Sequence, residues 1–400
     1  MSGALDGITV LDLSQGAAGP LCATMLGDLG AEVIKVEPPG GEWGRQLGPP
    51  FVDGVAAAFL GLNRNKRSIA VDLKRAGATD VILHIAASVD VVLESFRPGV
   101  ADRLGIGYDA IRALNPAVIY AAISAFGQDG PWRDRPGVDG VVQAMSGIMA
   151  VTGSADGPPV KVGVPAADMA GGAFTHSAIL AALFARERSG KGQRVDVSLL
   201  DSLLTLQVVP LTMFMAEGNP PGRLGSAAPY AAPNEAFPTA DGYVQVAAYT
   251  PERWKRFCSA IGHPGLETDE RFETNAKRVE ARPQLHEVLD PIFKERTTTT
   301  WIEILLDADL ICGPLLSYPE LVATDHVRQS GSVITIDHSA TGPVQTVGSP
   351  GRFSVNESGT RRPAPPVVGE HSAEILGEYG YPATEIETLF ETGVVLGPGT

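Results

Sequence analysis

"GITVLDLSQGAAGPLCATMLGDLGAEVIKVE", residues 7–37, decides the fold of this 400-residue chain. Two short runs rich in β-branched residues, 7–13 and 31–37, flank a small-residue turn and a stretch with helical spacing. Pro20 suits the first position of a helix, where a missing N–H leaves no bond unmade, and Gly30 suits its stop. Strand, helix and strand in that order need a crossover, so the two strands lie parallel with a helix covering them.

The pattern recurs downstream. "VDVVLESF" (89–96) and "PAVIYAAISAF" (116–126) are near-continuous apolar runs of strand length, and "RVDVSLLDSLLTL" (194–206) is a strand passing into a helix. Residues 1–205 therefore read as an α/β domain. Composition turns to Pro, Gly and Ala over 206–227, which reads as a linker. One strand ("YVQVAAY", 243–249) and three amphipathic helical patterns then make a smaller α+β domain over 228–325. The remainder, 326–400, returns to strands and one helix, either as a third unit or as a return to the first domain.

A formal charge of −15 argues against a non-specific nucleic-acid binder, because phosphate backbones are held by clustered Lys and Arg. Cys22, Cys258 and Cys312 are odd in number and lack metal-ligand spacing, so reduced thiols in a cytoplasmic protein are expected, with neither a disulfide framework nor a metal site. The longest apolar stretch carries Asp168 and His176, so no membrane partner is expected.

The opening unit invites a dinucleotide reading, but the fingerprint GxGxxG fails: Gly16 and Gly19 are present and Ser14 holds the first glycine position. "NRNKRSIAVDLK" (63–74) reads as an edge strand guarded by cations or as a ligand-binding segment. "ESFRPGVADRLGIGY" (94–108) puts an aromatic ring, a fixed cation and a rigid turn directly after a buried strand, where α/β sheets bind ligands. Arg97 and Arg103 in it are either ligand contacts or surface ion-pair partners.

In "GVPAADMAGGAF" (163–174), Asp168 precedes a long helical pattern, and Asp is a preferred N-cap. The same carboxylate is also able to serve as a covalent nucleophile. Gly171 and Gly172 are poor helix formers in the first turn, which suggests a backbone that something must approach closely.

Together these segments, with "ISAFGQDGPWRDRPGVDGVVQAMSGIMAVTG" (123–153) and "VVGEHSAEILGEYGY" (367–381), resemble the family III coenzyme A transferases, which include formyl-CoA:oxalate and carnitine CoA-transferases and the α-methylacyl-CoA racemases. The resemblance runs from residue 5 to residue 381. It implies a Rossmann-like large domain built from both chain ends, a smaller α+β domain between them, and an interlocked homodimer. It places Asp168 where the family has its nucleophile, which takes the acyl group as a mixed anhydride and then CoA as an aspartyl thioester, with no permanently bound cofactor. The substrates implied are an acyl-CoA and a small carboxylic acid. The diglycine would then offer N–H groups to the oxyanion.

By position, Ala17, Ala18, Val71, Asp72, Leu73, Lys74, Ser95, Phe96, Arg97, Arg103, Arg135, Pro136, Gly137, Val138 and Asp139 match CoA-contacting stretches of the formyl-CoA transferases. Lys74 and Arg103 are the phosphate partners this suggests. Ser95, Ala17 and Pro38 depart from the asparagine, glutamine and arginine of those enzymes, which weakens an oxalate or formate specificity. Val138 stands where the racemases carry a histidine, and valine moves no proton, so transfer is favoured over epimerisation. A CoA-binding protein without turnover is the remaining alternative.

Overall fold

The computed structural model describes residues 3–356 and 364–398. Strands β1 (Thr9–Asp12) and β2 (Glu32–Glu37) pair in parallel, Thr9 opposite Glu32, and helix α1 (Ala18–Asp28) crosses between them. Four more strands extend this unit: β3 (Lys66–Val71), β4 (Val91–Glu94), β5 (Ile119–Ser124) and β6 (Gln193–Ser198), all parallel to their neighbours. A short last strand, β7 (Val395–Leu396), adds antiparallel to β3. The sheet order is β7-β3-β2-β1-β4-β5-β6, the doubly wound order in which the chain reverses direction between β1 and β4. One core joins Leu11, Ile34, Ile69, Val92 and Tyr120 of these strands to Ile375 and Leu376 near the C-terminus, so both chain ends build one sheet unit.

The chain divides into two compact units. The first comprises residues 1–146, 163–206 and 325–400; the second comprises 147–162 and 207–324. Residues 206–227, whose composition suggests a linker, contain helix Val208–Glu217. The second unit holds a three-stranded antiparallel sheet, Asn234–Pro238, Tyr243–Ala247 and Ile311–Pro314. Its core is aromatic, with Trp254, Phe257, Phe293 and Trp301 buried together.

The segment 63–74 is not a guarded edge. Its strand β3 lies between β2 and β7, and two of its cations are buried: Arg64 pairs with Asp28 at 2.5 Å and Lys66 with Asp12 at 2.9 Å. Among the described residues no single helix is long and apolar enough to cross a membrane.

Candidate active site

The carboxyl ends of the strands converge on a cavity of about 300 Å3. Gln15, Ala17 and Ala18 reach it from the turn after β1, Ser95 and Phe96 from the loop after β4, Ile123 and Ser124 from the end of β5, and Leu199 from just after β6. Trp43, Ala125, Gly137, Val138 and Asp168 complete the wall. Parallel sheets bind ligands at this end and at this reversal point, because the loops there diverge and leave a crevice.

Asp168 is half-buried in the first turn of a 24-residue helix, α2 (Ala166–Ser189). It is not the N-cap, since the helix begins two residues earlier and Pro165 holds the cap position. The capping bond comes from elsewhere in the chain: Asp139 Oδ1 accepts the Ala167 N–H at 2.8 Å, and Asp139 Oδ2 accepts from Gln143 Nε2 at 2.8 Å. Asp139 is 8% exposed, and these two bonds tie its carboxylate to the helix start.

The diglycine also has a different purpose from the one the sequence suggests. Both glycines are buried inside the helix, where a Cβ on Gly172 would stand 2.6 Å from Ala18 O and a Cβ on Gly171 2.4 Å from Leu199 Cδ2. Gly172 lets α2 press against α1, setting the N-terminus of α1 beside Asp168, and Gly171 makes room for Leu199. Ala17, the cap residue of α1, supplies no side-chain bond to the first-turn N–H groups, which is the usual character of an anion-accepting helix end. Gly16 shapes the same turn: its φ is +84° and a Cβ would stand 2.3 Å from the Trp43 ring.

Beside this cavity lies a second of about 370 Å3, lined by Pro38, Pro39, Val71, Asp72, Leu73 and Lys74, with Gln15 and Phe96 shared between the two. Of the residues singled out in the sequence, Ala17, Ala18, Ser95, Phe96, Gly137 and Val138 thus join Asp168 in one cavity, and Val71 to Lys74 join Phe96 in the other. Arg97, Arg103, Arg135 and Pro136 line neither. Arg103 instead approaches Gly99, where a Cβ would stand 3.4 Å from its Nη1 and 3.8 Å from Nη2 of Arg133. Gln15, Trp43, Ile123, Ser124, Ala125 and Leu199 were missed; all but Trp43 sit at or just past a strand end, which was the signal that could have found them.

Under the turn after β1 lies a cluster of buried ions. Asp12 meets Lys66 at 2.9 Å and Lys35 at 3.9 Å, and Lys35 meets Glu42 at 3.2 Å. Burial alone would raise the Asp12 carboxyl, but Lys66, Lys35 and the Ser14 hydroxyl outweigh it and hold it below its usual range. Burial pulls Lys66 down to about 8, against the opposing field of Asp12. Burial raises the Cys22 thiol, which keeps it protonated and unreactive. His176 is absent from both cavities; burial lowers its imidazole, with Asp28 opposing.

The description CoA-transferase family III matches residues 5–372 of the chain. The chain belongs to that family. It is 36% identical to succinyl-CoA:glutarate CoA-transferase of Mus musculus, over 98% of this chain and 90% of that protein. It is 37% identical to acetyl-CoA:oxalate CoA-transferase of Acetobacter aceti, over 95% of this chain and 97% of that protein. A crystal structure of a CAIB/BAIF family protein from Brucella suis superposes with a TM-score of 0.83 at 35% identity, covering 95% of this chain and all of that one. The chain is therefore an enzyme, a transferase of coenzyme A acting on acyl-CoA, and its parallel-dominated α/β sheet is the one this family uses.

Proposed function

We propose that this transferase moves coenzyme A from an acyl-CoA to a short dicarboxylic acid, with Asp168 as the covalent nucleophile. The observation that carries the reading is a half-buried carboxylate at residue 168 set in the same cavity as Ala17 and Ala18, at the uncapped start of α1. Carboxylate attack on the thioester carbonyl gives a mixed anhydride and CoA thiolate. The thiolate then attacks the aspartyl carbonyl, releasing the first acid and leaving an aspartyl-CoA thioester. The incoming acid reverses both steps and departs as its own thioester. One carboxylate stores the thioester energy throughout, which is the advantage of splitting a hard exchange into easier transfers.

The second cavity suits the remainder of the CoA molecule, with Lys74 exposed at its wall to meet phosphate, and Arg103, which shares the neighbourhood of Gly99 with Arg133, is the second candidate cation. The dicarboxylate class is supported by the glutarate and oxalate named for two relatives. A homodimer of interlocked chains is supported by helix Val208–Glu217, which reads VVPLTMFMAE yet buries no residue, Met215 being 72% exposed.

Incubating succinyl-CoA or acetyl-CoA with oxalate, malonate, glutarate, acetate and butyrate, with mass spectrometry of the CoA products, tests the substrate class. A dicarboxyl-CoA product is expected, and exchange confined to monocarboxylates would reject it. Sedimentation at twice 41.8 kDa checks the assembly, which a monomer at micromolar concentration contradicts.

A further inference from the structure

We propose that the side-chain amide of Gln15 donates the hydrogen bond that holds the acyl oxygen as it becomes an oxyanion during attack by Asp168, an inference that rests on the mechanism proposed above. Both residues face the same cavity.

The turn carrying Gln15 is tied down group by group. Asp12 Oδ1 accepts the Ser14 N–H at 3.0 Å, and Lys35 Nζ donates to Ser14 O at 3.1 Å. Ser95 Oγ accepts the Gln15 N–H at 3.0 Å, and Glu42 Oε2 accepts the Gly16 N–H at 2.7 Å. Lys66 Nζ donates to Pro20 O at 3.0 Å. The four ionic side chains doing this are buried, so the backbone from 14 to 20 has little freedom to shift. The turn's one long polar side chain is left over: the Gln15 amide makes no hydrogen bond with a described residue.

A carboxamide offers two N–H donors and stays neutral at every working pH. Carried on a fixed backbone at the cavity wall, the uncommitted amide has only its own side-chain rotation between it and the charge as it develops, and a bond made at that point favours the transition state over the ground state. Each neighbouring hydroxyl already accepts a backbone N–H and has a single O–H to give, against the two N–H donors of the amide. Ser95 Oγ faces the Gln15 backbone, and Ser124 Oγ accepts the Gly127 N–H at 3.1 Å.

In the step concerned, an Asp168 oxygen forms a bond to the thioester carbon and the carbonyl π pair moves onto the acyl oxygen. Collapse restores the C=O and breaks the C–S bond, whose pair leaves on the CoA thiolate. Gln15 neither gains nor loses a proton.

Gln15→Glu keeps the shape and removes the donors, and Gln15→Met removes them without adding charge. Both variants should lower kcat by roughly 10²-fold or more, the usual effect of losing one oxyanion donor. KM for acyl-CoA should stay within about threefold, since an interaction made only in the transition state leaves ground-state binding alone. Melting temperature should match the parent, because no described contact uses the side chain. A kcat near the parent value in Gln15→Met, or a raised KM with kcat retained, overturns the proposal. Parent enzyme that moves no CoA between acids would instead remove the transferase mechanism on which it rests.

Discussion

Beneath its cavity the first unit buries Asp12, Lys35, Glu37, Glu42 and Lys66, all at most 1% exposed, whereas the second unit fills its centre with aromatic rings. The second unit does bury Arg278 and Glu235, but each serves that unit locally. Arg278 donates to the carbonyls of Ala232, Phe272 and Tyr249 and lies 4.5 Å from the centre of the Trp254 ring. Desolvating ions is costly, and a well-packed apolar cluster generally gives as much stability, so buried ions are weak evidence for a stabilising role. Four of these ions, Asp12, Lys35, Glu42 and Lys66, bond to the backbone between Ser14 and Pro20, part of the cavity wall, while Glu37 holds Arg45 and Ser68. Their arrangement makes sense as positioning, and that of the second unit as packing.

The sharpest way to break this contrast is to damage both centres equally. Lys35→Met leaves Glu42 and Asp12 short of a cation, at a cost of about 3–5 kcal/mol. Phe293→Ala empties part of the aromatic core for a comparable loss of about 3–5 kcal/mol. Urea unfolding should show similar destabilisation. At a temperature where both remain folded, turnover per folded molecule should fall only in Lys35→Met. Equal turnover losses would mean that the ions are merely part of the core.

Glu94 sharpens the contrast at lower amplitude, as a buried carboxylate of the first unit without a lysine partner. Burial pushes its carboxyl up to about 8, with Asp196 and Asp102 adding to the shift and the Phe96 N–H and Arg194 opposing it. From 4.5 to about 8 the native state therefore holds a proton that the unfolded chain has released, so this group makes stability fall as pH rises across that window. The slope is at most about 1.4 kcal/mol per pH unit. Glu94→Gln can still accept the Phe96 N–H and should gain on the parent between pH 5 and pH 8. Melting curves at both values check this, and a constant gap would show that Glu94 is ionised throughout.

The strands were legible in the sequence because each is a short apolar run closed by a turn, and the order of strand and helix signals implied parallel pairing. The cavity-lining stretch 95–96 was legible as a loop after such a run, whereas 71–74 was marked out only by the family resemblance. What was not legible depended on partners far away in the chain. Lys66 and Arg64 read as solvated cations, since nothing local reveals Asp12 and Asp28. Asp168 read as a helix cap because Asp139, which takes that role for Ala167, lies 28 residues upstream of it. Gly171 and Gly172 signalled a close approach correctly but not its identity, which is another helix. Gln15 had only its place after a strand end to mark it: a glutamine in a turn is ordinary until the bonds around it are seen.

The most direct measurement is on Asp168. Parent enzyme given an acyl-CoA without acceptor, then hydroxylamine, should carry a hydroxamate on residue 168, seen as a mass shift of its peptide. Asp168→Asn should lose CoA exchange while binding CoA and melting near the parent temperature, because a neutral amide is a poor acyl acceptor and the capping of α2 belongs to Asp139. No adduct on that peptide in an enzyme that turns over, or sustained exchange by Asp168→Asn after deamidation is excluded, would contradict the account.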